Sequence, residues 1–287
     1  FYRACKAVGI KPIIGMEGYV AQDSRLTRNP ADRSPYHMTV LAKNEVGYGN
    51  LLKLASKAQL EGFYYRPRMD RELLEKYSEG LVILSGCLSG EVGTHVVSGN
   101  MDKARATVDW YRQVFGDDYY LEVMWHEAIP EQLTMNRGVF DLAKETGTPL
   151  VATNDNHYTN PSDHELHDIL LCIQTNSLVS DTNRMKMEDP TFYLRSEAEM
   201  AALFPEHPEA IANSGLIADK VDLEIDFTQS RLPRYQTPNG EPALDYVRQL
   251  CEEGLVQRYP SADQSVWDRL NYELEVIENT GFPDYFL

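Results

Sequence analysis

Side chains able to hold a metal ion or move a proton stand at the ends of short apolar runs in this sequence. Glu17 lies within the first run, Cys87 follows the third through Ser85-Gly86, Trp125-His126 follow the fourth, and Asn154-Asp155-Asn156-His157 follow the fifth. Carboxylate, imidazole and thiolate are the donors that take up Zn²⁺, Mn²⁺ or related ions. Asp155 and His157 are two residues apart, and alternation in an extended segment would turn both to one side, as ligands of one ion require. His37 is the exception in placement, since it is expected to precede its strand. Each residue also has a plain reading. An acid inside an apolar strand, as Glu17 is, more often faces an edge, and Cys87 could be a small buried hydrophobe. Asn-Asp-Asn is good turn chemistry, and His37 beside Tyr36 could be a strand-start histidine with a satisfied hydrogen bond. Type and spacing point to a metal site and leave it open.

Other candidates are weaker. His164 and His167 have helical i, i+3 spacing, but Asp163, Glu165 and Asp168 around them favour a solvated helix face. Arg66-Pro67-Arg68-Met69 follows Phe63-Tyr64-Tyr65 and joins basic charge to aromatics, a mix that can meet a phosphate or a stacked base, or simply turn the chain after a helix. His95 and His207 stand alone. The sequence has no GxGxxG, GxxxxGK[ST], GxSxG or HExxH, so the usual nucleotide-cradle, serine-hydrolase and zincin readings have no support.

The elements that must position these residues follow from periodicity. Strands are expected over 12–21, 38–43, 81–85, 119–124 and 149–153, with helices over 1–8, 46–60, 101–115 and 131–146. Strand then helix, repeated with short connections, predicts parallel strands in an α/β layer or barrel, with ligands gathered at the C-terminal strand ends. Beyond Asp155, Ser162 with Glu165 reads as a capping box opening a helix through residue 173, Ser196 with Glu199 as a second, and 205–220 as a further helix. A new region begins near Gln229, where 232–240 has a linker composition, and helices are expected over 244–258 and 266–279. The last eight residues read as the start of an apolar strand. With Phe1 opening mid-helix, the chain reads as an internal piece of a longer protein.

Of 287 residues, 43% are hydrophobic and 25% charged, an ordinary globular balance. Lys plus Arg is 27 against 44 Asp plus Glu, a formal charge of −17, which repels phosphate backbones and excludes a self-sufficient duplex-binding domain. No apolar run is long enough to span a membrane, no signal peptide is evident, and the four scattered cysteines suit a reducing cytoplasm.

Several ordered blocks resemble the alpha subunits of bacterial DNA polymerase III, the replicative C-family polymerases. They are Gly9-Ile10-Lys11-Pro12-Ile13-Ile14-Gly15-Met16-Glu17, Tyr36-His37-Met38-Thr39-Val40-Leu41-Ala42-Lys43-Asn44, Gly47-Tyr48-Gly49-Asn50-Leu51-Leu52-Lys53-Leu54 and Glu61-Gly62-Phe63-Tyr64-Tyr65-Arg66-Pro67-Arg68. Further along come Leu84-Ser85-Gly86-Cys87-Leu88-Ser89-Gly90-Glu91, Ile129-Pro130-Glu131-Gln132, Val151-Ala152-Thr153-Asn154-Asp155-Asn156-His157-Tyr158 and Gly281-Phe282-Pro283-Asp284-Tyr285-Phe286-Leu287. The resemblance implies an irregular seven-stranded (β/α) PHP barrel over residues 1–228, lacking its first strands, and the linker and start of a polymerase palm over 229–287. It implies a divalent-metal cluster (Zn²⁺ or Mn²⁺) drawn here from Glu17, His37, Cys87, Asp155 and His157. The chemistry expected there is phosphodiester hydrolysis, as in a 3′–5′ exonuclease. Arg66 and Arg68 are candidate phosphate contacts by charge alone.

The family's N-terminal His-x-His and Thr-Asp-His-Gly motifs would precede Phe1, and the Mg²⁺-binding palm aspartates would follow Leu287. The parent is thus expected to be a cytoplasmic DNA-directed DNA polymerase that meets DNA through later domains and works with a proofreading subunit and a sliding clamp. This chain alone is expected neither to polymerise nor to be very stable. The alternatives are a catalytically silent structural or interaction module and a stand-alone PHP phosphatase, against which the palm-like tail argues.

Overall fold

The computed structural model describes residues 1–228 and 232–287, so the expected boundary at Gln229 lies outside the described residues. The chain divides into two compact units, Phe1–Ile225 and Asp226–Leu287. In the first, the order is α1 (Tyr2–Ala7), β1 (Gly15–Val20), β2 (Tyr36–Ala42), α2 (Glu45–Leu60), β3 (Arg68–Met69), α3 (Arg71–Lys76), β4 (Leu81–Leu84), α4 (Glu91–Val97), α5 (Met101–Phe115), β5 (Tyr119–Val123), α6 (Pro130–Thr146), β6 (Leu150–Ala152), α7 (His164–Thr175), α8 (Glu197–Leu203) and α9 (Pro208–Lys220). The second unit carries α10 (Ala243–Arg258), α11 (Gln264–Thr280) and α12 (Pro283–Phe286).

The fold is α/β, in keeping with a PHP (β/α) barrel, around a six-stranded sheet ordered β3-β1-β2-β4-β5-β6. It is not wholly parallel as strand–helix alternation predicts. β2 runs antiparallel to both β1 and β4, while β1–β3, β4–β5 and β5–β6 are parallel. The β1–β2 connection holds only a short 3₁₀ turn at Pro30–Arg33 and no crossover helix, which suits an antiparallel return.

The strands have two faces with different fates. On β1 and β2, Val20, Met38, Val40 and Ala42 point into the main core, which also takes Leu51, Leu54 and Ala58 of α2. The alternate residues Glu17, Tyr19, His37 and Thr39 share the opposite face, because side chains in a strand alternate and Tyr19 pairs with His37 across the ladder. β4 is buried on both faces. Its Val82 and Leu84 join Tyr120, Val151 and Ile217 in a second, smaller cluster on the far side of the sheet. The strand ends that carry the candidate ligands rise beside this smaller cluster.

Local departures from expectation are small and have local causes. The capping box at the start of α7 is Asn160 with Asp163, two residues earlier than expected, because Pro161 favours a 3₁₀ turn ahead of the helix. The box of Ser196 with Glu199 opens α8 as expected. The final segment is a helical turn, α12, with Pro283 at its first position, in place of the expected strand. Cys5, Cys87, Cys172 and Cys251 are free thiols, and no helix among the described residues is long and apolar enough to cross a membrane.

Helix α2 offers a matched test of how tightly its start is seated. A Cβ on Gly47 would stand 1.8 Å from the Gly80 carbonyl oxygen, whereas one on Gly49 would meet nothing within 4 Å. Gly49→Ala is expected to stabilise the protein by about 0.5–1 kcal/mol through helix propensity. Gly47→Ala is expected to destabilise it by about 1–3 kcal/mol through overpacking. Urea-unfolding midpoints moving in the same direction for both variants would refute this seating.

Candidate metal centre

Glu17 and His37 come from neighbouring strands. Glu17 pairs with Thr39, two residues from His37, so the two side chains meet on the diagonal of one face. Glu17 Oε1 lies 2.6 Å from His37 Nδ1. His37 lies inside β2 rather than ahead of it, and the edge of Tyr19 packs on its ring at a centroid distance of 4.8 Å. Hydrogen bonds to Cys87 and Glu17 push the His37 imidazole up to about 9. The same bond with His37 holds the Glu17 carboxyl below its ordinary range.

Cys87 reaches His37 because the loop after β4 folds tightly over the start of β2. Gly86 has φ +84, and a Cβ there would lie 2.6 Å from the His37 carbonyl oxygen. His37 N–H in turn donates to the Ser89 carbonyl at 2.9 Å. Beneath this loop sits the buried Glu122 of β5. Its carboxylate accepts from Gly86 N–H at 3.0 Å and from Thr153 Oγ1 at 2.7 Å. Its own N–H donates to Ser85 Oγ at 2.9 Å. Burial pushes the Glu122 carboxyl up to about 7, against these hydrogen bonds. Glu122 was not singled out from the sequence; the one signal available was an acid inside a strand run, the feature that singled out Glu17.

Asp155 and His157 follow β6 in irregular backbone. Asp155 adopts φ +47, so strict alternation does not hold there. Instead His157 Nδ1 lies 2.7 Å from the Asp155 carbonyl oxygen, and both side chains line one pocket with Glu17, His37 and Cys87. The turn is pinned by buried Asn154, whose amide donates to the carbonyls of Thr191 and Tyr193 at 2.9 and 2.8 Å. His157 N–H donates to Phe192 O at 2.8 Å. Burial raises the Asp155 carboxyl above its ordinary value. His126, which follows β5, is buried in the same pocket wall, a place that sequence reasoning noted without committing to it.

The pocket has a volume of about 340 Å³ and is contiguous through its shared walls with a second of about 270 Å³ that reaches Glu122 and Thr153. Glu17, His37, Cys87, Asp155 and His157 thus converge on one cavity. Among the described residues, no three His, Cys, Asp or Glu side chains stand at distances that would already hold an ion. Glu17, His37 and Cys87 bond one another instead. The donor set suits a divalent ion in type and convergence, and these bonds must open to admit one.

Arg66 and Arg68 part ways. Arg66 is exposed, with its guanidinium 5.7 Å from the centre of the ring of Tyr19, which packs against His37. Arg68 is fully buried. Its Nε donates to Gly62 O and its Nη2 to the carbonyls of Arg25 and Thr27. It is therefore no phosphate contact: it ties the loop after β1 to β3, and swinging it out would strand three backbone carbonyls without their donor. His167 sits 5.4 Å from the His157 ring rather than on a purely solvated face, while Asp168 is engaged by Arg184 at 2.6 Å.

Comparison with known proteins matches residues 1–126 to the PHP domain model and 245–287 to the model described as bacterial DNA polymerase III alpha NTPase domain. Over its whole length the chain is 44% identical to a DNA polymerase III subunit alpha of Borreliella burgdorferi and 43% to one of Treponema pallidum, covering 25% of each. The Thermus aquaticus subunit is 34% identical, with 29% of its length covered. The chain spans about a quarter of the length of these curated relatives. Residues 1–126 are similar to the PHP domain, and the chain is similar from end to end to DNA polymerase III alpha subunits.

Glu122 has a pH signature that can be measured in chelator-treated protein. Its folded value of about 7 lies above the ordinary 4.5. Its contribution is therefore fully present below about pH 4.5 and is lost as pH rises to about 7, up to about 3 kcal/mol. Unfolding free energies of the wild type and Glu122→Gln should diverge over that window, the variant gaining relative stability as pH rises. A pH-independent difference between the two would overturn the buried protonated state.

Proposed function

We propose, from that end-to-end similarity, that this chain is part of a DNA polymerase III alpha subunit. On this reading residues 1–228 form its PHP domain, and 229–287 form the linker and the start of its palm. The whole protein is then a cytoplasmic replicative DNA polymerase using Mg²⁺ at palm aspartates beyond this chain. It meets DNA through later domains and works with a proofreading subunit and a sliding clamp. The PHP pocket is a second centre that hydrolyses phosphodiesters as a metal-dependent 3′–5′ exonuclease. The observation that carries this reading is the convergence of Glu17, His37, Cys87, Asp155 and His157 on one cavity.

Zn²⁺ or Mn²⁺ held by those five residues would polarise a phosphoryl oxygen and acidify a bound water. The chain's own groups supply the rest. Arg66, exposed beside Tyr19, offers a cation for the phosphate of an incoming DNA end. Buried Glu122 and Asn154 fix the two loops that carry Cys87 and Asp155, so that the donors meet in one orientation.

A second reading is a silent PHP module that stabilises the polymerase or docks another subunit. The mutual bonding of Glu17, His37 and Cys87 favours it, since these side chains are satisfied without an ion. A stand-alone PHP phosphatase is disfavoured, because such an enzyme has no use for the segment 245–287 that matches the polymerase.

In the full-length protein, Asp155→Ala should lower bound Zn²⁺ or Mn²⁺ and the exonuclease rate together, each by at least about tenfold. Metal content equal to wild type, measured by elemental analysis, would remove Asp155 from the ligand set. Metal bound by neither protein would favour the silent module. Arg66→Ala should leave metal content unchanged while reducing the salt slope of DNA-end binding at the PHP site by about one phosphate contact. An unaltered slope would end its assignment as a phosphate contact.

A further inference from the structure

His126 is the one histidine of the pocket wall that the reading above leaves without a task. Its ring is 1% exposed and stacks on Phe192 with centroids 4.1 Å apart. It lines the cavity together with Glu17, His37, Cys87, Asp155 and His157. Its two nitrogens are in different positions. Nδ1 lies 3.0 Å from Thr191 Oγ1. Nε2 is buried and has no hydrogen-bond partner among the described residues.

The support on the Nδ1 side decides where the ring proton sits. Thr191 Oγ1 donates to Asp189 Oδ1, which also accepts from Thr191 N–H at 2.8 Å, while Asp189 Oδ2 accepts from Ala128 N–H at 3.0 Å. A hydroxyl has one proton to give, and that proton is committed to the carboxylate. Toward His126, Thr191 can therefore only accept, so Nδ1 carries the hydrogen and Nε2 is a bare lone pair. Burial keeps the ring neutral, holding its pKa down to about 4. A buried acceptor with nothing to accept from, in a wall of ligand-type side chains, is a group that an ion would satisfy. Imidazoles that bind metals are set up in this way, with the far N–H anchored and the near nitrogen offered.

We infer that His126 is a further ligand of the divalent ion held in this pocket, binding through Nε2, with Thr191 and Asp189 as the pair that fixes its tautomer. The inference rests on the metal-site reading above. It adds a ligand from the end of β5 to those from β1, β2 and the loops after β4 and β6. Asn154, which holds the carbonyls of Thr191 and Tyr193, ties the support of this ring to the turn that carries Asp155.

The test uses the full-length protein, stripped of metal and titrated with Zn²⁺ alone, with affinity read by competition against a chromophoric chelator. His126→Gln should weaken Zn²⁺ binding at least tenfold while the metal-free protein keeps its melting temperature. Thr191→Val, which leaves the ring in place but frees its tautomer, should weaken binding about tenfold, with recovery in Thr191→Ser. The Thr191 pair carries the test if His126→Gln does not fold. Wild-type Zn²⁺ affinity in His126→Gln, or in Thr191→Val where the Gln variant does not fold, overturns the inference if Asp155→Ala has lost the ion, and leaves the metal site standing. Failure of the wild type to bind Zn²⁺ any better than Asp155→Ala would bring down both.

Discussion

A buried carboxyl group must find hydrogen-bond donors, and Glu122 finds them on both sides of the pocket. One oxygen holds Gly86 N–H, next to Cys87, and the other holds the Thr153 hydroxyl, two residues before Asp155. The loops after β4 and β6 belong to strands that are not neighbours in the sheet, since β5 lies between them. Glu122, on that middle strand, is what spans the gap. Without it Cys87 and Asp155 would each hang from a loop with its own freedom. With it, both loops are tied to one side chain, in addition to the bonds that Asn154 and the His37 N–H make to each loop separately.

That arrangement explains why the pocket lies where it does on the sheet. The face that carries Val82, Leu84, Tyr120 and Val151 is largely apolar and buried, and Cys87, Asp155 and His157 come only beyond the ends of those strands. Glu17 of β1 and His37 of β2 share one face of an antiparallel pair, so the pair that departs from the parallel pattern delivers two of the five candidate donors. A wholly parallel sheet would bring donors only from strand ends.

Much of this was legible from residue type and spacing. The five main strands, the helices between them and the gathering of Glu17, Cys87, Asp155 and His157 follow from periodicity and from where the polar residues interrupt it. What stayed hidden depends on long-range contacts. Arg66 and Arg68 are indistinguishable by composition, yet only Arg68 lies in β3, where it enters a cage of backbone carbonyls, while Arg66 ahead of the strand stays exposed. Asp155 and His157 share a pocket through a left-handed turn rather than alternation, and only the contacts of Asn154 with residues 191 and 193 fix that turn. The β3 strand itself has two residues, too short for any periodic signal.

On the proposed function, a divalent ion would supply positive charge that this chain itself has little of. A chain carrying a net −17 repels a phosphodiester, and Arg66 is the one cationic side chain that the proposed reaction draws on. Inside the pocket, Glu17 and Asp155 would add to that repulsion if nothing neutralised them. Glu17 already draws on His37 for this, and the His37 ring is raised by that partner and by Cys87. The pocket therefore holds its own acids and bases in balance and has little positive potential left for a substrate. A divalent ion changes that account, because it satisfies the carboxylates and still presents charge outward. The same acids that repel a phosphodiester would then be the means of holding the charge that admits it.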